Sequence, residues 1–296
     1  MRAAAAAAGA QQYPAAALYV VATPIGNLAD LSLRAIHVLA LADAVACEDT
    51  RHSSPLLRYL GLDKPLVAVH RHNEHEAAQA VLARLARGER VAYVSDAGTP
   101  AVSDPGAALV AAVREAGHRV LPIPGPSAAL AALSVAGDPQ ATAFRFAGFL
   151  PAKAGERAHA LVALLAQPDA QVLFEAPHRI EALCAELGRA CPERIVTLCR
   201  ELTKQFETVA TLPAAGLAGW LAADPNRQRG EFVLVLHAPP AAAVHAADQD
   251  VALRPLLAAL PLKQAVALAA QITGAPRNAL YERALALKAA APGDDS

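Results

Sequence analysis

This sequence lacks an excess of either charge. Its 296 residues hold 26 Lys+Arg against 27 Asp+Glu, so no net field draws the chain to nucleic acid, and any such affinity must come from local clustering. Aromatic residues make up only 4%, while hydrophobic residues reach 55%, so the core has to be filled by Ala, Leu and Val. The four cysteines Cys47, Cys184, Cys191 and Cys199 form no C-x-x-C pair. That spacing argues against structural zinc and a disulfide framework, and for reduced, buried thiols in a cytoplasmic protein. There is no Gly-x-Gly-x-x-Gly, no Gly-Lys-Ser/Thr and no His-Glu-x-x-His, which removes the usual dinucleotide, P-loop and zinc-protease sites. No window of 18 apolar residues runs free of charge and proline, so no membrane span is expected. The Ala-rich start lacks the Leu/Val/Phe-rich stretch of a signal peptide and reads as a frayed, disordered tail over residues 1–16.

Short β-rich runs instead alternate with Ala/Leu-rich stretches of helical spacing. Strands are predicted at Leu18 to Ala22, Val45 to Cys47, Leu66 to His70, Val91 to Ser95 and Arg119 to Ile123. Helices are predicted between them, including Leu31 to Ala42, Glu74 to Arg87 and Ala107 to Ala116. This alternation indicates an α/β unit over 17–128 with a mostly parallel sheet. A second α/β unit over 129–238 carries strands at Phe144 to Phe149, Gln171 to Glu175, Ile195 to Arg200, Phe206 to Ala210 and Glu231 to His237. The short connection at Leu202 to Gln205 implies a hairpin and a mixed sheet. Residues 239–252 read as a linker, and 253–290 as a small helical domain. In the latter, Thr273-Gly274-Ala275-Pro276 separates a helix from a basic one carrying Arg277, Arg283 and Lys288, the outline of either a helix-turn-helix or a plain helical hairpin.

Ligands of open parallel sheets bind at the carboxyl ends of strands, and there the sequence is rich. Thr23-Pro24-Ile25-Gly26-Asn27 follows the first strand, and Pro124-Gly125-Pro126-Ser127-Ala128 follows the fifth, with Ser127 near a helix start. Ser95-Asp96-Ala97-Gly98-Thr99-Pro100-Ala101-Val102-Ser103-Asp104-Pro105-Gly106 carries more Gly, Pro, Asp and hydroxyl groups than a turn needs, which marks a ligand loop. Asp104 is placed to cap a helix beginning at Pro105. His70, His72 and His75 offer either a metal cluster or merely a polar helix start capped by Asn73. Basic and polar groups at strand ends, namely Arg51 and His52, Lys153 and Arg157, His178 and Arg179, and Arg200 to Lys204, suit a phosphate backbone.

In this order the motifs, together with Glu48-Asp49-Thr50-Arg51-His52, His72-Asn73-Glu74, Gly148-Phe149-Leu150-Pro151, Phe174-Glu175-Ala176-Pro177-His178-Arg179, Arg200-Glu201-Leu202-Thr203-Lys204 and Gly230-Glu231-Phe232, resemble the tetrapyrrole-methylase superfamily, and within it the branch that methylates a ribose 2′-hydroxyl of small-subunit ribosomal RNA. The resemblance spans nearly the whole chain. It implies two α/β subdomains with S-adenosylmethionine in the cleft between them, an appended C-terminal helical domain, a homodimer, and a decoding-site cytidine of 16S RNA in the 30S subunit as substrate. By motif, cofactor contacts are expected from Pro24, Asp96, Gly98, Thr99, Pro100, Ala101, Val102, Ser103, Ser127, Ala128, Glu175, Leu202, Gly230 and Glu231. RNA contacts are expected from Arg51, His52, Lys153, Arg157, His178, Arg179, Arg277 and Arg283. Methyl transfer to a weakly acidic hydroxyl gains from a base or a nearby cation, and Glu48, Arg200, Glu201 and Lys204 are the catalytic candidates, with no metal required. Rival readings are a tetrapyrrole C-methyltransferase, a ligand-responsive DNA-binding regulator and a metallohydrolase on the histidine cluster.

Overall fold

A computed structural model describes residues 1–70 and 73–290. The first half runs α1 (Arg2–Ala8), β1 (Ala17–Val21), α2 (Leu33–Leu41), β2 (Ala44–Cys47), α3 (Thr50–Tyr59), β3 (Leu66–Ala68), α4 (Glu74–Ala86), β4 (Arg90–Val94), α5 (Ala107–Glu115), β5 (Arg119–Ile123) and α6 (Ala128–Ala136). Its five strands are all parallel, in the order β3-β2-β4-β1-β5. Such a sheet is covered on both faces, which is why β1, β2 and β4 are continuous apolar runs. Helices α2 and α3 cover one face, with Tyr19, Val38, Leu39 and Leu57 in the core. Helices α4 and α5 cover the other, with Val81, Leu85, Tyr93 and Leu109.

The second half runs β6 (Phe144–Phe149), α7 (Ala154–Leu165), β7 (Ala170–Glu175), α8 (Ile180–Ala190), β8 (Ile195–Arg200), β9 (Thr208–Pro213), α9 (Leu217–Ala222) and β10 (Phe232–Leu236). The order is β6-β7-β10-β8-β9, mixed as expected, with β8 and β9 an antiparallel hairpin. Helix α6 leaves the first sheet and packs on β7 and β10 of the second, its Ala129 and Ala132 against Val172 and Val233. That crossing places its first residues between the two sheets.

Several expectations are corrected. The Ala-rich start is not frayed: α1 buries Ala4 and Ala8 and packs against α2, and the Tyr13 hydroxyl donates to the Ala8 carbonyl at 3.1 Å. Alanine's high helix propensity and a partner helix together suffice to order it. The segment after β2 is a helix start, with Asp49 accepting from the Arg51 N–H at 2.8 Å as the cap of α3. Asp104 is not the cap of α5, because that helix begins only at Ala107, after Gly106 at φ +120°. The Asn73 side chain does not cap α4 but closes the preceding turn, accepting from His70 N–H and donating to Ala68 O. His72 lies outside the described residues. Most of the expected linker is helical: α10 (Ala241–Ala259) joins α11 (Leu262–Thr273) and α12 (Arg277–Ala290) around Leu253, Val266, Ala269, Leu280 and Ala284. Its alanines favour a helix, and Leu253 supplies the apolar contact that holds it. No helix among the described residues is long and apolar enough to cross a membrane.

Candidate active site

Strand β1 lies between β4 and β5, so the loops after all three emerge side by side. They are laced together. Thr23 N–H donates to Gly98 O at 2.9 Å and Gly98 N–H to Thr23 O at 3.0 Å, while the Thr99 hydroxyl donates to Pro126 O at 3.0 Å. Gly98 holds φ +79° and Ala101 φ +63°, backbone that opens the loop toward the second sheet. From that sheet, the register pairs Phe232 with both Glu175 and Arg200, so the ends of β7 and β8 and the start of β10 share one edge. The two edges enclose a cavity of about 400 Å³.

Nine expected cofactor residues line it: Gly98, Thr99, Val102, Ser103, Ser127, Ala128, Glu175, Leu202 and Glu231. Pro24 and Asp96 instead line a neighbouring cavity of about 220 Å³. Pro100, Ala101 and Gly230 line neither and serve the backbone; a Cβ on Gly230, at φ +91°, would sit 2.5 Å from the Glu201 side chain. The residues missed are mostly apolar: Ile25, Ala97, Phe149, Phe174, Ala176, Pro177, Phe232 and Val233. Within a sequence such side chains look like ordinary core. The polar focus is Glu175, whose side chain is fully buried. Its Oε1 accepts from the Ala176 N–H at 2.8 Å and lies 3.0 Å from Arg179 Nε, but Oε2 has no hydrogen-bond partner among the described residues. A buried carboxylate oxygen left unpaired in a cavity wall is an acceptor waiting for a ligand's donor.

Residues 17–218 match the family described as Tetrapyrrole (Corrin/Porphyrin) Methylases. The chain belongs to this family. Residues 243–288 match the RsmI C-terminal HTH domain. The Ribosomal RNA small subunit methyltransferase I of Escherichia coli O157:H7 is 48% identical over 273 residues, covering 90% of this chain and 94% of that protein. Its counterpart in Neisseria meningitidis serogroup B is 48% identical over 274 residues, covering 92% and 94%. Among solved structures, uroporphyrin-III-C-methyltransferase from Thermus thermophilus superposes with a TM-score of 0.53 at 24% identity, covering 75% of this chain and 94% of that one. Diphthine synthase gives 0.55 at 17%, covering 75% and 90%. These two likenesses show the fold.

The cavity of this tetrapyrrole methylase fits the methyl donor that the resemblance implies. Its volume is that of a small-molecule site, its walls are largely apolar as an adenine requires, and Glu175 Oε2 awaits a hydroxyl or ammonium donor. The catalytic candidates stand beside it. None of Glu48, Arg200, Glu201 and Lys204 is among the residues lining the cavity. Arg200 is a brace, donating to Arg229 O at 2.6 Å and Phe206 O at 3.0 Å. Glu201, at φ +53°, accepts at Oε1 from Lys204 Nζ and from Glu231 N–H, both at 2.9 Å, and Lys204 Nζ also donates to Glu231 Oε2 at 2.8 Å. Burial pushes the Glu201 carboxyl up, but Lys204, the Glu231 N–H and Arg200 outweigh it and bring it below its ordinary value. Burial likewise pulls Lys204 down, and Glu231 and Glu201 outweigh it, so the ammonium is held charged. The stem of Lys204 packs on the β1 loop, where a Cβ on Gly26 would meet its Cγ at 2.5 Å.

The expected RNA face is thinner than the sequence suggested. Arg157 is buried and donates to both Glu186 oxygens, at 2.8 and 2.5 Å. Arg179 turns inward to Glu175 and to Leu150 O. Arg283 ties α12 to α10 through Asp250 at 2.6 and 2.7 Å. Arg157 and Arg283 are thus paired with carboxylates 29 and 33 residues away, and Arg179 with one four residues before it, so each has a structural role. Arg51 pairs with Asp49 at 2.6 Å but stays exposed, and its hydrogen bonds hold the Asp49 carboxyl down at about 2. Lys153 pairs with Glu156 at the surface, and His178 and Arg277 are exposed.

Proposed function

We propose that this protein transfers a methyl group from S-adenosylmethionine to the ribose 2′-hydroxyl of a decoding-site cytidine in 16S RNA, acting on the small ribosomal subunit as a cytoplasmic homodimer. What carries the reading is coverage. Relatives named Ribosomal RNA small subunit methyltransferase I share 48% identity over 90% or more of this chain, and a separate match covers the C-terminal helices. The solved uroporphyrin-III C-methyltransferases cover 75% of it at 24% identity or less. That difference favours RNA over a tetrapyrrole.

The donor, once bound, supplies a methyl group already activated by its sulfonium. The protein's task is then alignment in a site from which water is kept out. The apolar side chains Ile25, Phe174, Leu202 and Val233 supply the dry walls. Glu175 Oε2 accepts from the donor and fixes its position. The hydroxyl proton passes to the Glu231 carboxylate, which lines the cavity and accepts from Lys204 Nζ at 2.8 Å, and the ammonium offsets the negative charge of Glu201 and Glu231 beside the reacting oxygen. Glu201 acts through Lys204 as a positioning residue.

The decisive test is ribose-methylation mapping of 16S RNA from a strain lacking the gene. One decoding-site cytidine is expected to lose its 2′-O-methyl group and to regain it when the gene is restored; an unchanged map overturns the reading. Glu175→Gln is expected to lower donor affinity about ten- to a hundredfold, the range for removing a hydrogen bond to a charged acceptor. Isothermal titration checks it, and wild-type affinity would remove Glu175 from the donor site.

A further inference from the structure

The 220 Å³ cavity that took Pro24 and Asp96 away from the donor site lies between the β1 loop, helix α3 and the β4 loop. It abuts the larger one. Pro24 faces it while Ile25 faces the donor cavity, and Asp96 and Ala97 divide in the same way. The laced Thr23–Gly98 pair forms the shared rim. Two features of its lining are unusual. Tyr59, at the last turn of α3, is 69% exposed, and Leu28 across the cavity is 47% exposed. A tyrosine turned to solvent at a cavity mouth, with Leu28 and Pro55 beside it, presents a flat apolar face with nothing packed on it from the described residues that line the cavity. Beneath, Asp96 is fixed in place. Its Oδ1 accepts from the Asp49 N–H at 3.2 Å and its Oδ2 lies 3.0 Å from His52 Nδ1. The carboxylate is only partly covered, and each oxygen can accept a further hydrogen bond.

A ring face above and an oriented carboxylate below recognise a planar heterocycle that carries an amino group. Unpaired bases of RNA are bound in this manner, stacked on an aromatic side chain and read at their hydrogen-bonding edge, and an Asp carboxylate is a natural acceptor for the cytosine 4-amino group. An enzyme working on one nucleotide in a folded RNA gains by drawing that nucleotide out of its stack. We propose that this cavity holds the base of the target cytidine, with Tyr59 stacking on it and Asp96 accepting from its 4-amino group, so that the ribose lies at the shared rim facing the donor. The assignment rests on the RNA-methylation reading above. It also accounts for the position of Asp96 and Pro24 outside the donor cavity, because both serve the acceptor. His52 becomes the residue that orients Asp96.

The test uses the full-length protein and small-subunit particles from a strain lacking the gene. Tyr59→Ala is expected to lower kcat/KM for methyl transfer about five- to a hundredfold, the range for losing one base–aromatic stack, and Tyr59→Phe to restore most of it. Donor affinity, measured by titration, should be the same in both. Asp96→Asn should narrow the preference for cytidine over uridine at the target position by tenfold or more, because an amide can donate to the uracil 4-oxygen. Wild-type kcat/KM in Tyr59→Ala, or a parallel loss of donor affinity, overturns the assignment while leaving RNA methylation standing. A wild-type protein that modifies no RNA overturns both.

Discussion

Gly98→Arg is expected to reduce donor affinity by more than a hundredfold. Gly98 sits where three constraints meet. Its φ of +79° belongs to the region that costs an L-residue roughly 1–2 kcal/mol, so any side chain starts at a disadvantage. A Cβ there would stand 3.3 Å from Ile25 Cγ2, tighter than an easy contact. Gly98 lines the cavity itself, so an arginine side chain would occupy volume the donor needs. The backbone of Gly98 also holds the β1 loop through two hydrogen bonds to Thr23, and distorting it would disturb both cavities. Gly98→Ala separates these effects, because it pays the backbone strain without filling the site, and a loss of about tenfold is expected. Titration of the two variants with the donor checks the ordering. Retained affinity in Gly98→Arg would place the donor elsewhere.

That the loop around Gly98 mattered was legible from its residues alone. Glycine, proline and hydroxyl groups crowded at a strand end are a local signal, and β1 and β4 emerged within a residue of their expected bounds because buried parallel strands are continuous apolar runs. The other wall of the cavity was not legible in the same way. Phe149, Phe174, Phe232 and Val233 line it, yet nothing local separates a cavity-facing phenylalanine from one in the core. The pairing of the basic residues was hidden for the opposite reason. Arg157 and Arg179 have the spacing of a surface cluster, but Glu186 lies 29 residues beyond Arg157, and only the packing of α7 against α8 brings the two together. Asp96 sat in a motif assigned as a whole to the donor. Chain order cannot reveal that consecutive residues of one loop face two different cavities.

The second large effect concerns what anchors that loop at its far end, and Gly106→Ala is expected to destabilise the fold by about 4 kcal/mol. Gly106 has φ +120°, and a Cβ on it would lie 2.3 Å from Tyr93 Cε1 and 2.5 Å from the Tyr93 hydroxyl oxygen. Real side chains do not approach so closely, so something must move. Tyr93 cannot: it is fully buried in the first sheet, and its hydroxyl donates to Pro105 O at 2.5 Å. Burial, with Glu48, Asp104 and Glu74 nearby, also pushes this phenol well above the ordinary tyrosine range, so it stays a neutral donor. The Tyr93–Pro105 bond and the bare Gly106 together tether the ligand loop to β4 just before α5 begins. An added methyl therefore breaks the tether or splays the loop, and donor affinity should fall along with stability. For a chain of this size the thermal midpoint should drop by about 6 °C. Tyr93→Leu, which vacates the space the methyl needs, should cost stability alone but offset part of the Gly106→Ala loss when combined with it. A double variant clearly more stable than the sum of its parts identifies the contact as the cause. Strict additivity would mean that the loop is held by something other than the Tyr93 ring.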